Sequence, residues 1–141
     1  MTGFLLDTNV ISEIIKPSPN QHVVAWIGST TEDLLFVSVL TVGEIRKGIE
    51  ALPATIKRAQ LERWLTHDLV PRFDNRIVPI DLAVAHRWGE ISGRALLHGT
   101  LLPVIDGLLA ATAAHFDLTL VTRDTRHSEL TGIAYFNPWK A

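Results

Sequence analysis

The chain has 141 residues, of which 47% are hydrophobic and 20% charged, and it contains no cysteine. This length suits one domain, 1–141, with its own buried core, and the missing cysteines exclude disulfides, thiolate zinc sites and a cysteine nucleophile. The formal net charge is −2, so bulk charge gives no indication of nucleic-acid binding. No stretch has the form of a signal peptide or a membrane span. We expect a globular domain in the cytoplasm.

The opening segment runs from an apolar strand into an acid and then into a helix. A strand is predicted over Gly3–Leu6, and the apolar spacing of residues 10–15 favours an amphipathic helix. Either Thr8 or Asn9 could cap that helix. Asp7 would then stand at the carboxyl end of a strand, where open α/β sheets form their sites. The alternative is that Asp7 is an ordinary turn residue.

Strands and helices then alternate along the chain. After a break at 17–20, the patterns predict helices at 22–29, 40–51, 55–73, 81–97 and 106–116 and strands at 34–37, 77–80, 119–122 and 133–136. Pro79 favours either a peripheral position for its strand or the end of that strand, and the last strand is expected at a sheet edge. The alternation predicts an α/β protein, a three-layer α/β/α sandwich around a mainly parallel sheet.

A parallel sheet brings the carboxyl ends of its strands to one edge, so acids near those ends could meet. Asp106 is the least ordinary of them, because it stands in an apolar segment where a lone carboxylate is costly unless it is paired, binds a metal or caps a helix. Glu44 and Asp124 could instead be solvated surface residues, and Asp81 is predicted to cap a helix. The acids near this edge are Asp7, Glu44, Asp81, Asp106 and Asp124.

Other chemistries have weak support. No H-x-x-x-H or H-x-H pair suggests a zinc site, and neither of the glycine-rich nucleotide loops nor a G-x-S-x-G segment occurs. Asp7 at a strand end could be the nucleophile of a phosphoaspartate phosphatase. Such enzymes typically have a second acid two residues later, where this chain has Asn9.

Four segments, in order, resemble the motifs of a PIN domain. They are Asp7-Thr8-Asn9 after the first strand, residues 37–49 around Glu44, residues 106–113 beginning at Asp106, and residues 120–124 ending at Asp124. The resemblance covers essentially the whole chain at the usual spacings. It is strongest to the VapC-type toxins of the FitB-like branch, whose chains often close with an Asn-Pro-Trp such as residues 137–139.

The resemblance implies a metal-dependent ribonuclease that acts as the toxin of a toxin–antitoxin pair. It implies that Asp7, Glu44, Asp106 and Asp124 form an acidic cluster for Mg²⁺ or Mn²⁺, cations that prefer carboxylate and water oxygens. Asp7 and Asp106 would be primary ligands, and Glu44 and Asp124 would act directly, through water or at a second metal. Asn9 and Thr122 are candidate hydrogen-bonding partners of the ligands. A cognate VapB-like antitoxin and a homodimer are also implied.

RNA as a substrate requires local positive charge on a chain that is negative overall. Five cations fall in segments near the predicted edge and could supply it: Arg46, Lys47, Arg94, Arg123 and Arg126. The alternative from another class is a non-catalytic PIN-fold protein that acts only with its partner in a DNA-binding regulatory complex. A pure binding protein, however, has no reason to concentrate carboxylates.

Overall fold

The computed structural model describes residues 2–141. In this part of the chain five strands form one sheet, in the order β3-β2-β1-β4-β5, and every neighbouring pair is parallel. The strands are β1 Gly3–Leu6, β2 Leu35–Ser38, β3 Ile77–Val78, β4 Leu118–Val121 and β5 Tyr135–Phe136. The helices are α1 Thr8–Ile14, α2 Gln21–Ser29, α3 Val39–Glu50, α4 Ile56–Trp64, α5 Val70–Arg72, α6 Leu82–Leu97, α7 Val104–Phe116 and α8 Ser128–Thr131.

Neighbouring residues of the central strand face opposite layers of helices, because side chains alternate along a strand. Leu6 belongs to a buried cluster that includes Val10, Ile11 and Val23 of α1 and α2. Leu5 belongs to a cluster on the other face, with residues of α7 such as Leu109. The predicted three-layer α/β/α sandwich is therefore confirmed, and its sheet is parallel throughout.

The two outer strands are the ones expected at the periphery. Strand β3 lies at one edge and ends at Val78, directly before Pro79, and β5 lies at the other edge. A proline has no N–H to donate to a neighbouring strand, so it stops the ladder there. Both strands are two residues long rather than the four predicted.

The long helix predicted over 55–73 is interrupted by a π-helical turn at Leu65–Leu69, between α4 and α5. Pro71 follows that turn, and a proline ring clashes with the carbonyl four residues before it, here that of His67. A wider turn at that point accommodates the ring without ending the helix. Among residues 2–141, no helix combines the length and apolar character needed to cross a membrane.

Candidate active site

Strand register places Asp7 beside Thr122. Leu6 of β1 pairs with Val121 of β4, so the next residue of each chain segment emerges at the same point of the sheet edge. The Asp7 backbone N–H donates to the Val121 carbonyl at 2.9 Å, and the Thr122 hydroxyl donates to Asp7 Oδ2 at 2.8 Å. The carboxylate is therefore fixed on two sides before any ligand is considered.

Asp7 itself is the N-cap of α1. Its Oδ1 accepts the Thr8 backbone N–H at 2.6 Å, so the prediction that Thr8 or Asn9 caps this helix is wrong. The Asp7 carboxylate accepts an unpaired N–H at the helix start and also complements the helix dipole, and Thr8 and Asn9 already lie inside the helix. The prediction for Asp81 is confirmed, since Asp81 caps α6 by accepting the Val84 N–H at 3.0 Å.

The hydroxyl of Thr8, free of the capping role, holds Glu44. Thr8 Oγ1 lies 2.6 Å from Glu44 Oε1 and 3.1 Å from the hydroxyl of Thr41. A carboxylate can only accept, so the single hydroxyl proton of Thr8 goes to Glu44 and Thr41 donates to Thr8. Glu44, two turns into α3, is thus tied to the residue that follows Asp7.

The hydroxyl of Thr122 joins three site residues. Besides donating to Asp7, Thr122 Oγ1 accepts from Asn9 Nδ2 and from the Asp124 backbone N–H, each at 3.2 Å. A hydroxyl has one donor and two acceptor positions, so every hydrogen-bonding position of the Thr122 hydroxyl is occupied. It sets the distance between the end of β1 and the loop that carries Asp124.

Asp106 lies in the first turn of α7, which begins at Val104 instead of Asp106 as predicted. Pro103 occupies the cap position, and no side chain caps this helix. Proline and apolar residues at a helix start still permit helical geometry, because the first N–H groups need no intrahelical partner. The interpretation of Asp106 as a helix cap is therefore wrong, and its carboxylate is available to the site.

All four predicted acids surround two adjoining spaces. A small pocket of about 20 Å³ is lined by Asp7, Asp106 and Asp124, together with Thr122, His127 and Tyr135. An open cleft of about 500 Å³ is lined by Asp7, Glu44 and Asp106. Asp81 lines neither space. The small pocket has room for an ion or a water, and only the open cleft has room for a nucleotide.

The carboxylates influence one another electrostatically. Burial raises the pKa of Asp7, the hydrogen bonds from Thr122 and Thr8 oppose that rise, and the charges of Asp106 and Glu44 add to it. Burial also raises the pKa of Tyr135, and the charges of Asp106, Asp7 and Asp124 reinforce the shift. A cation bound among these groups would relieve both the burial cost and the repulsion.

Asp124 is held by its own loop. Its Oδ1 accepts the Arg126 backbone N–H at 3.2 Å, and its Oδ2 pairs with Arg126 Nε at 2.9 Å. The Asp124 side chain is 46% exposed and that of Arg126 70%. An ion pair so exposed contributes little stability and exchanges readily for another partner.

The donor set suits a hydrated divalent cation more than a tightly enclosed one. Within residues 2–141, no three acidic or imidazole side chains converge closely enough to hold an ion by themselves. Mg²⁺ typically binds through one or two carboxylates and keeps several waters. Asn9 lines the open cleft, and its buried Oδ1 has no hydrogen-bond partner among the described residues.

Three of the five predicted cations line one of two spaces, and Arg46 and Lys47 line neither. Arg123 lines the open cleft, whereas Arg94 and Arg126 line a separate groove of about 620 Å³. His127 lines both this groove and the small carboxylate pocket, so the groove leads up to the carboxylates. Arg46 instead lies 3.8 Å from Glu50 on the same helix.

Sequence reasoning missed several residues of the site. Thr41 could have been found, because it lies three residues before Glu44 and such residues share a helix face. Lys16 lies beyond the end of α1, and His127 and Tyr135 belong to the segment after β4. Nothing in their local pattern indicates that they reach the carboxylates.

Comparison with known proteins identifies the family of this chain. The PIN domain family matches residues 4–133. Toxin FitB of Neisseria gonorrhoeae is 42% identical over 135 residues, covering 96% of this chain and 97% of that protein. VapC ribonuclease Y4jK of Sinorhizobium fredii is 35% identical over 136 residues, covering 96% and 97%. The crystal structure of FitAcB from Neisseria gonorrhoeae superposes with a TM-score of 0.93 at 40% identity, covering 98% of this chain and 99% of that one.

An acidic cleft at the carboxyl edge of a parallel α/β/α sheet defines the structural class, and the matches define the family within it. The chain belongs to the PIN-domain family, in the branch of the VapC-type and FitB-like toxins.

Proposed function

We propose that this protein is a metal-dependent endoribonuclease whose active site comprises Asp7, Glu44, Asp106 and Asp124. The observation that carries the proposal is the open cleft, where a strand end and two different helices each contribute one carboxylate. Asp124 joins them through the adjoining pocket. Carboxylates that repel one another are costly to gather, and such clusters occur where a function needs them. The VapC ribonuclease relative supports RNA as the substrate.

Mg²⁺, or Mn²⁺ in its place, is the cofactor that this set of hard oxygen donors suits. Asp7 and Asp106 line both spaces and would be its primary ligands, while Glu44 and Asp124 would act directly or through water. When bound, the cation would place an attacking water in line and stabilise charge on the phosphoryl group and the leaving oxygen.

The two threonines give the carboxylates their positions. Thr122 holds Asp7 and the backbone of Asp124 through one hydroxyl, and its hydrogen bond lowers the pKa of Asp7 against the effect of burial. Thr8 holds Glu44. A site that is fixed in this way loses little entropy when the cation and substrate enter.

The groove that contains Arg94 is the surface proposed to bind the RNA strand next to the cleavage point. We expect Arg94→Glu to weaken RNA binding about tenfold at moderate salt and to reduce the salt slope of log K by about 0.7, the value for one phosphate contact on a single strand. Arg87→Glu is the matched control, because Arg87 lies on the same helix and shares a second cavity with Arg94 but does not line the groove. Equal effects of the two substitutions would contradict this path.

We further propose that the enzyme is the cytoplasmic toxin of a toxin–antitoxin pair, inhibited by a VapB-like antitoxin. The relative named Toxin FitB supports this role. Induced expression of the native chain in bacteria should arrest growth, because uncontrolled RNA cleavage stops translation. Asp106→Asn, expressed to the same level, should not arrest it, and co-expression of the cognate antitoxin should restore growth. Arrest that persists with Asp106→Asn would count against a nuclease toxin.

A homodimer is proposed from the surface between α6 and α7. Leu97 is 83% exposed, Leu101 81% and Val104 58%, so consecutive segments present large apolar side chains to water. Clustered apolar exposure of this kind marks an association surface. Light scattering of the purified chain should give twice its mass of 15.6 kDa, and a monomer at micromolar concentration would contradict the dimer.

A further inference from the structure

The end of the chain holds an arginine at the rim of the carboxylate cleft. Asn137 Nδ2 donates to the Arg123 carbonyl at 3.1 Å, and Asn137 Oδ1 accepts the Trp139 backbone N–H at 2.9 Å. The Arg123 guanidinium lies 5.2 Å from the centroid of the Trp139 ring. Asn137 therefore connects the backbone of Arg123 to the backbone of Trp139, the residue whose ring lies beside the Arg123 guanidinium.

Trp139 is itself fixed by the body of the protein. It is partly buried and packs against the cluster that contains Leu6 and Val10, while its neighbour Pro138 is buried. The Trp139 ring is therefore a fixed support for the Arg123 guanidinium. Besides the weak cation–π attraction, the ring restricts the rotamers of the long arginine side chain. Arg123 is exposed, so the support has no evident role in the core.

A second cation stands in the same cleft. Lys16 Nζ pairs with Glu13 Oε1 at 2.9 Å, and Glu13 Oε2 accepts the Asn20 N–H at 2.9 Å. The hydrogen bond from Lys16 lowers the pKa of Glu13 most, the Asn20 N–H lowers it further, and the charge of Arg123 contributes as well. Arg123 and Lys16 thus both lie near Glu13, and all three residues line the cleft.

We propose that Arg123, with Lys16 beside it, forms the subsite that binds the scissile phosphodiester of RNA, and that Asn137 and Trp139 are positioning residues for Arg123. The inference rests on the proposed ribonuclease function. Besides these two cations, the cleft is lined by four carboxylates, those of Asp7, Glu13, Glu44 and Asp106. A phosphodiester cannot approach such a surface without cations placed for it.

Arginine is the residue suited to this task. Its planar fork can donate two parallel hydrogen bonds to a phosphate, and it keeps its charge at every relevant pH. The guanidinium lies 5.2 Å from the centroid of the Trp139 ring, and both residues line the cleft. The closing Asn-Pro-Trp segment thereby acquires a part in catalysis although it lies outside the four acids.

Steady-state cleavage of RNA tests this role of Arg123. Arg123→Gln should lower kcat about a hundredfold, the loss typical for a donor aimed at transition-state charge. Arg123→Lys should recover part of that loss, because it restores the charge without the fork. Arg87→Gln removes an exposed arginine elsewhere and is the control. Binding of Mn²⁺ should be the same in all of these proteins, since the carboxylates are untouched.

The positioning role is tested at Trp139. Trp139→Leu should lower kcat about fivefold, the worth of an exposed cation–π contact, and Trp139→Phe should restore it, because a phenyl ring still supports the guanidinium. A purely structural role would affect the folded fraction and leave the kcat of the folded enzyme equal in both variants. Asn137→Ala should also lower kcat, as Trp139→Leu does.

Failure of the inference differs from failure of the proposed function. If the native chain and Arg123→Gln cleave RNA equally, the subsite is overturned and the nuclease stands. If the native chain cleaves no RNA, the proposed function fails, and binding of a labelled RNA to an Asp106→Asn background then tests the subsite. Equal affinity with and without Arg123→Gln in that background would overturn it.

Discussion

Asp106→Asn is expected to lower metal-dependent RNA cleavage about a thousandfold or more, the effect of losing several kcal/mol of charge stabilisation by a bound cation. Asp106 lines both the small pocket and the open cleft, so it borders both spaces in which the cation could bind. An asparagine has nearly the same shape but only one acceptor oxygen and no charge. Initial rates of cleavage under saturating Mg²⁺ measure the loss.

Asp117→Asn is the matched control for this experiment. Asp117 ends the same helix, in the left-handed conformation with φ of 54°, which asparagine adopts readily. It lines neither carboxylate space, so its cleavage rate should remain within twofold of the native rate. If Asp106→Asn, folded like the native chain and in the same oligomeric state, kept most of the activity, the carboxylate cluster would not be the active site.

A divalent cation is expected to stabilise the protein strongly at neutral pH and not in acid. The folded-state pKa of Asp7 lies above its ordinary value, so between these two pKa values the folded protein holds a proton that the unfolded chain has lost. The metal-free protein therefore loses stability as pH rises through that interval. Mg²⁺ binds the ionised form and should restore about 2.7 kcal/mol at a hundred times its Kd.

Chemical unfolding with and without Mg²⁺, repeated from pH 4 to pH 8, measures this effect. The stabilisation by Mg²⁺ should disappear as pH falls through the raised pKa of Asp7, and Asp7→Asn should remove it at every pH. A non-catalytic binding protein has no need of the cation, so an absence of stabilisation at neutral pH would favour that alternative. A phosphoaspartate phosphatase would instead form a covalent intermediate at Asp7 and hydrolyse phosphomonoesters.

Much of the fold could be predicted because its signals are local and repeated. Short apolar runs alternate with helical periodicities, and that order specifies a parallel sheet with helices on both faces. The edge position of β3 followed from Pro79 alone. The start of α7 was misplaced by two residues, because Val104 and Ile105 look the same whether they lead into a helix or begin it.

The site could be predicted in outline, and its internal connections could not. An acid that directly follows a strand is visible in sequence, and parallel pairing then brings Asp7 and Asp124 toward one edge. The hydrogen bonds that Thr8 and Thr122 donate to Glu44 and Asp7 depend on the rotamer of each side chain, and they join residues 36 and 115 positions apart. Likewise, Arg94 on helix α6 and Arg123 in the loop after β4 fall on different surfaces because tertiary packing, which no local pattern reveals, sets their positions.

The central claim is that a carboxylate-bound divalent cation enables this chain to hydrolyse RNA. Its most direct test is cleavage of a mixed RNA by the purified native chain with Mg²⁺ or Mn²⁺, then with excess chelator, and then with the cation restored. Cleavage should appear with the cation, stop with chelator, return on restoration, and be lost in both Asp7→Asn and Asp106→Asn. Cleavage that continues in chelator, or that survives both substitutions, would contradict the claim.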